Sequence, residues 1–222
     1  MAAIYSNKGA YNFGTGTVSI AVPSGYKQGD LLVLCITGRS YMPATPSGWT
    51  DIKIHTNPNI YLKVCYKISA STESSLTLAD SGTFTAGVML LFKGNAFVSP
   101  IGETNSNDSS STAFSATGIT TSKPRCLIVH VIGFYDSSTV ADSDNYTGYI
   151  NANLSGIAER YDYYVYSATN LNSGICVVTG NKLTAGYTGN TTATADSLTN
   201  IGAVVTFSII EPDPTNFLQF FM

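Results

Sequence analysis

Between residues 17 and 210 the chain is a series of short apolar stretches separated by clusters of Gly, Pro, Asn and Ser. In IYLKVCYKI, residues 60–68, Ile60, Leu62, Val64, Tyr66 and Ile68 fall on one face, and Tyr61, Lys63, Cys65 and Lys67 on the other. That period of two predicts a half-buried strand with one wet side. DLLVLCIT (30–37), GVMLLFK (87–93), CLIVHVIGF (126–134) and GAVVTFSII (202–210) are apolar at almost every position. Such runs predict strands covered on both faces or lying at an assembly contact. Shorter candidates fall at 17–22, 50–55, 75–79, 111–116, 147–151, 157–167, 174–179 and 190–195. Helical spacing is nearly absent, so the chain is expected to be all-β.

The order of these elements repeats about a polar stretch at the midpoint, TNSNDSSSTA (104–113), which reads as a connection. Before it come GDLLVLCIT, PSGWTDI, NIYLKVCYKISA, SSLTL and TAGVMLLFKG. After it come PRCLIVHVIGF, NYTGYIN, ERYDYYVYSA, NTTATA and IGAVVTFSII. Each series runs from an apolar strand through a short aromatic-bearing strand, a long strand and a Thr-rich strand to a second apolar strand. A half of about four or five strands has one apolar face and cannot bury it alone, so the halves should lie face to face over one shared core about 10 Å thick. The expectation is a single antiparallel β-sandwich domain, jelly-roll-like, over residues 1–211, with pseudo-repeated halves at about 15–95 and 110–211.

Composition narrows the partners. Only 11% of residues are charged, against about 25% in an average soluble domain, so uncharged polar side chains must cover much of the surface. Eleven basic and 14 acidic residues give a net charge of −3. That is too little positive charge to collect phosphates, and nucleic acid is not expected as a partner. No run approaches the ~18 apolar residues of a spanning helix, and MAAIYSNKGAYNFGTG lacks the segments of a leader, so neither membrane insertion nor export is expected. Cys35, Cys65, Cys126 and Cys176 are far apart and show no metal-ligand spacing. They read as buried, reduced thiols, and no metal or cofactor is called for.

Catalytic groups are sparse. The chain has two histidines. His130 shares a strand face with Ile128 and Ile132 and reads as a hydrogen-bonded core residue, while His55 precedes a turn and reads as an exposed loop residue. Glu73, Glu103, Glu159 and Glu211 are isolated in sequence, no nucleophile or phosphate-loop motif occurs, and no enzymatic activity is expected. Asp142 and Asp144 in ADSDNYTG lack the Gly and distal Glu of a Ca²⁺ loop and read as a solvated turn. In ERYDYYVYSA, Tyr161 and Tyr163 take one face and Tyr164 and Tyr166 the other, with Trp49 and Tyr66 as candidate neighbours. Sheet packing, a protein interface and a glycan platform all remain open for these rings.

VPSGYKQGDLLVL (22–34), PSGWTDI (46–52), KVCYKISA (63–70) and TAGVMLLFKG (85–94) resemble a group of β-sandwich proteins among the structural proteins of tailed bacteriophages. The second half resembles the group more loosely, through TAGYTGNTTATA and GAVVTFSII. In these motifs Pro23, Gly25, Pro46 and Gly48 set turns before strands. The resemblance implies a virion component, made in the host cytoplasm and placed on the particle exterior as a decoration, accessory or minor tail protein. Its partners would be copies of itself, a trimer among the candidates, and capsid or tail proteins. The alternative is a tail-associated module that binds a host receptor or glycan.

The last residues, EPDPTNFLQFFM (211–222), raise a separate expectation. Pro212 and Pro214 remove ladder donors and end the final strand. Residues 212–222 then form an arm bearing Phe217, Leu218, Phe220, Phe221 and Met222, whose burial would contribute about 1.5–3 kcal/mol each. Those five residues are the expected assembly contact, on a neighbouring copy or the particle shell, with closure of one end of the chain's own sandwich as the alternative.

Overall fold

The computed structural model describes residues 3–39, 41–58, 60–80, 84–94, 97–109, 113–136, 145–166, 172–195 and 199–210. Among these there is no helix, and every strand pairing is antiparallel. The first half contributes β1 (Ile4–Lys8), β2 (Asn12–Gly14), β3 (Val18–Ile20), β4 (Leu31–Gly38), β5 (Thr50–Thr56), β6 (Tyr61–Ile68), β7 (Leu76–Leu78) and β8 (Thr85–Lys93). The second contributes β9 (Ile101–Ser109), β10 (Ala113–Ala116), β11 (Thr120–Thr121), β12 (Cys126–Asp136), β13 (Tyr146–Ile150), β14 (Ser155–Val165), β15 (Ser173–Lys182), β16 (Gly186–Tyr187), β17 (Thr191–Ala195) and β18 (Thr199–Ile209).

Two large sheets carry the architecture. One runs β1-β8-β4-β6-β5, with β2 also paired to β8; the other, read from its β9 edge, runs β9-β18-β12-β15-β14. In chain order within each half the sequence of neighbours is the same. The place of β6 is taken in the second sheet by β15, and that of β5 by β14. The match of KVCYKISA to ERYDYYVYSA is therefore displaced by one strand, because composition suggests one correspondence where pairing decides another.

Apolar residues occupy both faces of each large sheet. Leu31, Val33, Cys35, Leu62, Val64, Val88 and Leu90 meet Leu127, Val129, Val131, Ile175, Val177, Val205 and Phe207 in one core between the sheets. On the outer face of the first sheet, Leu32, Leu34, Ile36, Met89 and Leu91 are covered by Val18, Ile20 and Leu78 of the β3–β7 pair. On the outer face of the second, Ile132, Phe134, Cys176, Val178 and Val204 are covered by Phe114, Tyr146 and Ala193 from the sheet β10-β17-β13. The expected single shared core is thus one of several. Leaving the outer faces wet would forfeit about 1.5–3 kcal/mol per large side chain, which is why the uninterrupted apolar runs come with small covering sheets.

β6 shows the same effect on one residue. The face expected to be wet holds Lys63 at 4% exposure and Cys65 at 0%. Lys63 Nζ donates to the Pro43 carbonyl (2.6 Å) and the Thr45 hydroxyl (3.1 Å), so the loop before β5 supplies the polar partners that a buried ammonium requires. The midpoint stretch is also corrected. Most of it is edge strand β9, paired with β18 and half-buried. Its polarity serves the neighbouring segment: Asn107 Nδ2 donates to the Ser115 carbonyl and Asn107 Oδ1 accepts from the Thr117 N–H.

The turns before β4 and β5 are built as the motif residues require. Gly25 and Gly48 hold φ of 78° and 80°, and Trp49 N–H closes a turn onto the Pro46 carbonyl at 3.1 Å. The Asp30 carboxylate accepts from Lys27 N–H at 2.7 Å while its backbone joins Ser69. Asp30→Ala should therefore cost about 1–3 kcal/mol in chemical denaturation by orphaning that N–H. An unchanged midpoint would mean that the backbone bonds alone close the loop.

Candidate binding groove at the aromatic seam

The edges β1–β2 and β14 of the two large sheets lie along the same side of the stack, and a groove of about 300 Å³ opens between them, lined by Lys8, Gly9, Ala10, Tyr11, Phe13, Tyr161 and Tyr163. The chain reaches this arrangement through local alternation. Tyr11 and Phe13 sit two apart at the start of β2 and share a face; Tyr161 and Tyr163 do the same on β14, beyond a bulge between Glu159 and Tyr161. The Tyr11 ring lies 5.3 Å from Tyr163, 5.8 Å from Tyr161 and 6.1 Å from Phe13, centroid to centroid. Its hydroxyl donates to the Ser173 carbonyl at 3.2 Å. Burial, followed by the neighbouring phenols Tyr161 and Tyr163, pushes the Tyr11 phenol well above its ordinary value, so it is a permanent donor and no acid.

Lys8 caps one side of the groove, its Nζ 3.9 Å from the centre of the Tyr161 ring. Partial burial lowers the lysine's pKa and Glu159 opposes that change. Arg160 stands over Tyr5 at 5.2 Å on the same edge. Tyr161 is buried, Tyr163 half-buried and Phe13 44% exposed. The groove therefore offers Phe13 and part of Tyr163 as open apolar surface, with a cation at the rim.

The expected aromatic platform is divided. Tyr161 joins the core between the large sheets and Tyr164, fully buried, joins the outer core with Phe134 and Tyr146. Trp49 packs against the outer core of the first sheet, remote from β14, and Tyr66 against the central core. Tyr166 is 37% exposed at the end of β14. Sequence reasoning misses Lys8, Tyr11 and Phe13, because strands of five and three residues leave too short a period to read. The i, i+2 aromatic pair in AYNF is the available signal.

Several titratable groups elsewhere among the described residues are engaged. His130 is fully buried, as its strand position suggests, with hydroxyls of Thr206 and Thr191 at 3.0 and 2.8 Å from its two ring nitrogens. Burial lowers its pKa to about 4, so it is a neutral imidazole in the fold. His55 is half-buried on β5, not in a loop, and contacts Asp108 of β9 at 2.8 Å across the opposite seam. Glu73 holds Lys67 at 2.7 Å.

On the outer face of β14, oxygens of Glu159 and Asp162 and the Cys176 sulfur lie within 4.8 Å of one another. The Tyr149 hydroxyl bonds to Glu159 and Cys176 at 3.0 and 3.1 Å. Asp162 accepts from Asn145 Nδ2 and Tyr146 N–H, both at 2.9 Å, and burial raises its pKa to about 7. Cys35, Cys65, Cys126 and Cys176 are free and buried, with burial raising each thiol, Cys65 to about 12 and Cys126 to about 11. Asp142, Asp144 and the arm residues Phe217, Leu218, Phe220, Phe221 and Met222 lie outside the described residues. No helix among the described residues is long and apolar enough to cross a membrane.

Comparison with protein-family models, with curated proteins and with solved structures gave no match to any of them.

Proposed function

We propose that the chain is a non-catalytic structural component of a tailed-phage virion, an exterior decoration or accessory subunit built as a jelly-roll-like β-sandwich of two like-ordered halves. The observation that carries this reading is the use of both faces of both large sheets in packing. Contacts with neighbours then fall to sheet edges, loops and the C-terminal residues, which suits a rigid body repeated on a lattice. The resemblance of the turn motifs to those of phage structural proteins supports the same reading, since their glycines and Asp30 shape the lead-in to β4. Engagement of the histidines and of Asp162 in structural hydrogen bonds supports a role without chemistry. Cryo-electron microscopy of particles, with the chain's copies counted by mass spectrometry, is expected to place many copies on the exterior. Absence from purified particles would overturn the assignment.

The aromatic groove favours a second reading, a tail-associated module binding host glycans, because an open Phe13 beside Tyr163 and Lys8 can stack against a sugar face. A few copies at the tail tip, with glycan-array binding lost in Phe13→Ala and melting unchanged, would decide for it.

A further inference from the structure

We infer that the groove between β1–β2 and β14 is the acceptor for residues 211–222 of a second copy, so that copies join head to tail. The inference rests on the proposed assembly role and names the surface that performs it. Three observations converge. The first is position. Ile210 N–H bonds to the Pro100 carbonyl at 2.8 Å, and Ile209 pairs with Ile101, so the chain leaves the fold at the end of β18, beside the β9 edge of the second sheet. The groove lies at the β14 edge of that sheet, three strand spacings from β18, or about 14 Å.

The faces between those two edges are occupied, the inner by the first sheet and the outer by β10-β17-β13 and by Ile119 and Leu154. An arm seeking its own groove must pass around these layers. A neighbouring copy that faces this edge would bring its arm to the groove without passing them. Twelve extended residues span at most about 40 Å, enough to cross from one body to the next and still seat the last six.

The second observation is chemical fit. The groove presents Phe13 at 44% exposure beside the rings of Tyr11 and Tyr163. The arm carries Phe217, Leu218, Phe220 and Phe221. Aromatic pairs in offset or edge geometry are favourable beyond the area they bury, and the groove already holds such pairs among its own rings. The third is charge. Glu211 and Asp213 precede the apolar residues, and Lys8 and Arg160 stand on the acceptor edge, with Glu159 near Lys8. The acidic stretch meets a locally positive rim while the phenylalanines enter the groove.

A head-to-tail contact uses two different surfaces, so it closes into a ring where the rotation permits, a trimer being one case, and otherwise propagates as a filament. The native thiols are buried and free, so they leave engineered cysteines as the reactive ones.

The test uses full-length chains. Phe13→Cys and Phe220→Cys are purified separately, mixed and mildly oxidised, and Phe220→Cys is also mixed with Ile150→Cys, a 69% exposed position on β13. Disulfide-linked dimers should form at least about tenfold faster in the first mixture than in the second, and Lys8→Glu introduced beside Phe13→Cys should slow the first reaction about tenfold. Equal rates in the two mixtures overturn the inference. So does an intramolecular disulfide that forms in the Phe13→Cys/Phe220→Cys double variant while the mixture stays uncrosslinked, since the arm then occupies its own groove. Failure here with the protein still found on particles removes this contact and keeps the virion assignment. Crosslinking by a protein absent from particles does the reverse.

Discussion

Replacing Phe134 by alanine is expected to destabilise the fold by about 3–5 kcal/mol, the range for emptying a buried aromatic site. For a chain of this size that is a fall in Tm of roughly 6–20 °C. Phe134 is fully buried, its ring edge-on to Tyr146 at 5.2 Å and stacked with Tyr164 at 6.3 Å. It thereby joins β12, β13 and β14 in the outer core of the second sheet. Directly opposite on β15 is Gly174, and the Phe134 ring lies over it so closely that a Cβ there would sit 2.2 Å from the ring's Cζ. The glycine is a seat for the ring. Gly174→Ala alone must displace the ring, an overpacking cost of about 1–3 kcal/mol. In the Phe134→Ala background the same methyl enters emptied space and should cost little or nothing. Urea denaturation of the four chains should thus show coupling above about 1 kcal/mol. Additivity within about 0.5 kcal/mol would mean that the ring is not held by this seat.

What was legible in the sequence follows from where its information lies. The strands that fill the stack announced themselves, since DLLVLCIT and CLIVHVIGF can be apolar at almost every position only if both their faces are dry. Edge strands were harder. β9 is written in Thr, Asn and Ser because its side chains bond to backbone in the segment beyond it, so no apolar period marks it. β1 and β2 are short: the alternation of β1 is too brief to separate from a loop, and β2 shows none.

The groove was half visible. Tyr161 and Tyr163 stood out as a pair, but their companions Lys8, Tyr11 and Phe13 come from the far end of the chain, and only the pairing of β1 and β2 onto β8 brings them to β14's side. Lys63 misled for a related reason. A lysine in an alternating strand marks a wet face unless a loop supplies acceptors, and Pro43 and Thr45 do so from outside the strand.

Two buried groups make the chain's response to pH an expected result with an unusual form. His130 has its pKa lowered by burial from 6.5 to about 4. Asp162 has its pKa raised from 3.8 to about 7 by burial, with the Tyr146 N–H and Asn145 amide opposing and Glu159 adding to the rise. The signs are opposite. Between about pH 4 and 6.5 the unfolded chain protonates the histidine and the folded chain does not, so this group makes stability rise with pH. Over the same window the folded chain keeps the Asp162 proton that the unfolded chain releases, so this group makes stability fall with pH.

At pH 5.5 the fold therefore holds one proton on the pair, on Asp162, and the unfolded chain also holds one, on His130. The counts agree, and the contribution of these two groups to the pH dependence of stability cancels until the unfolded chain's histidine begins to lose its proton as the pH approaches 6.5. Removing either group exposes the other. In Asp162→Asn, stability should rise by on the order of 3 kcal/mol from pH 4 to 6.5, since one proton bound by only one of the two states changes stability by about 1.36 kcal/mol per pH unit. In His130→Gln, which retains groups able to meet Thr206 and Thr191, stability should fall by on the order of 4 kcal/mol from pH 4 to 7. Urea midpoints taken at half-unit steps give both curves, and it is their slopes relative to the parent chain that matter, since each substitution also changes absolute stability. Two variants whose curves run parallel to that of the parent chain would show that neither group is held in the neutral form that burial dictates.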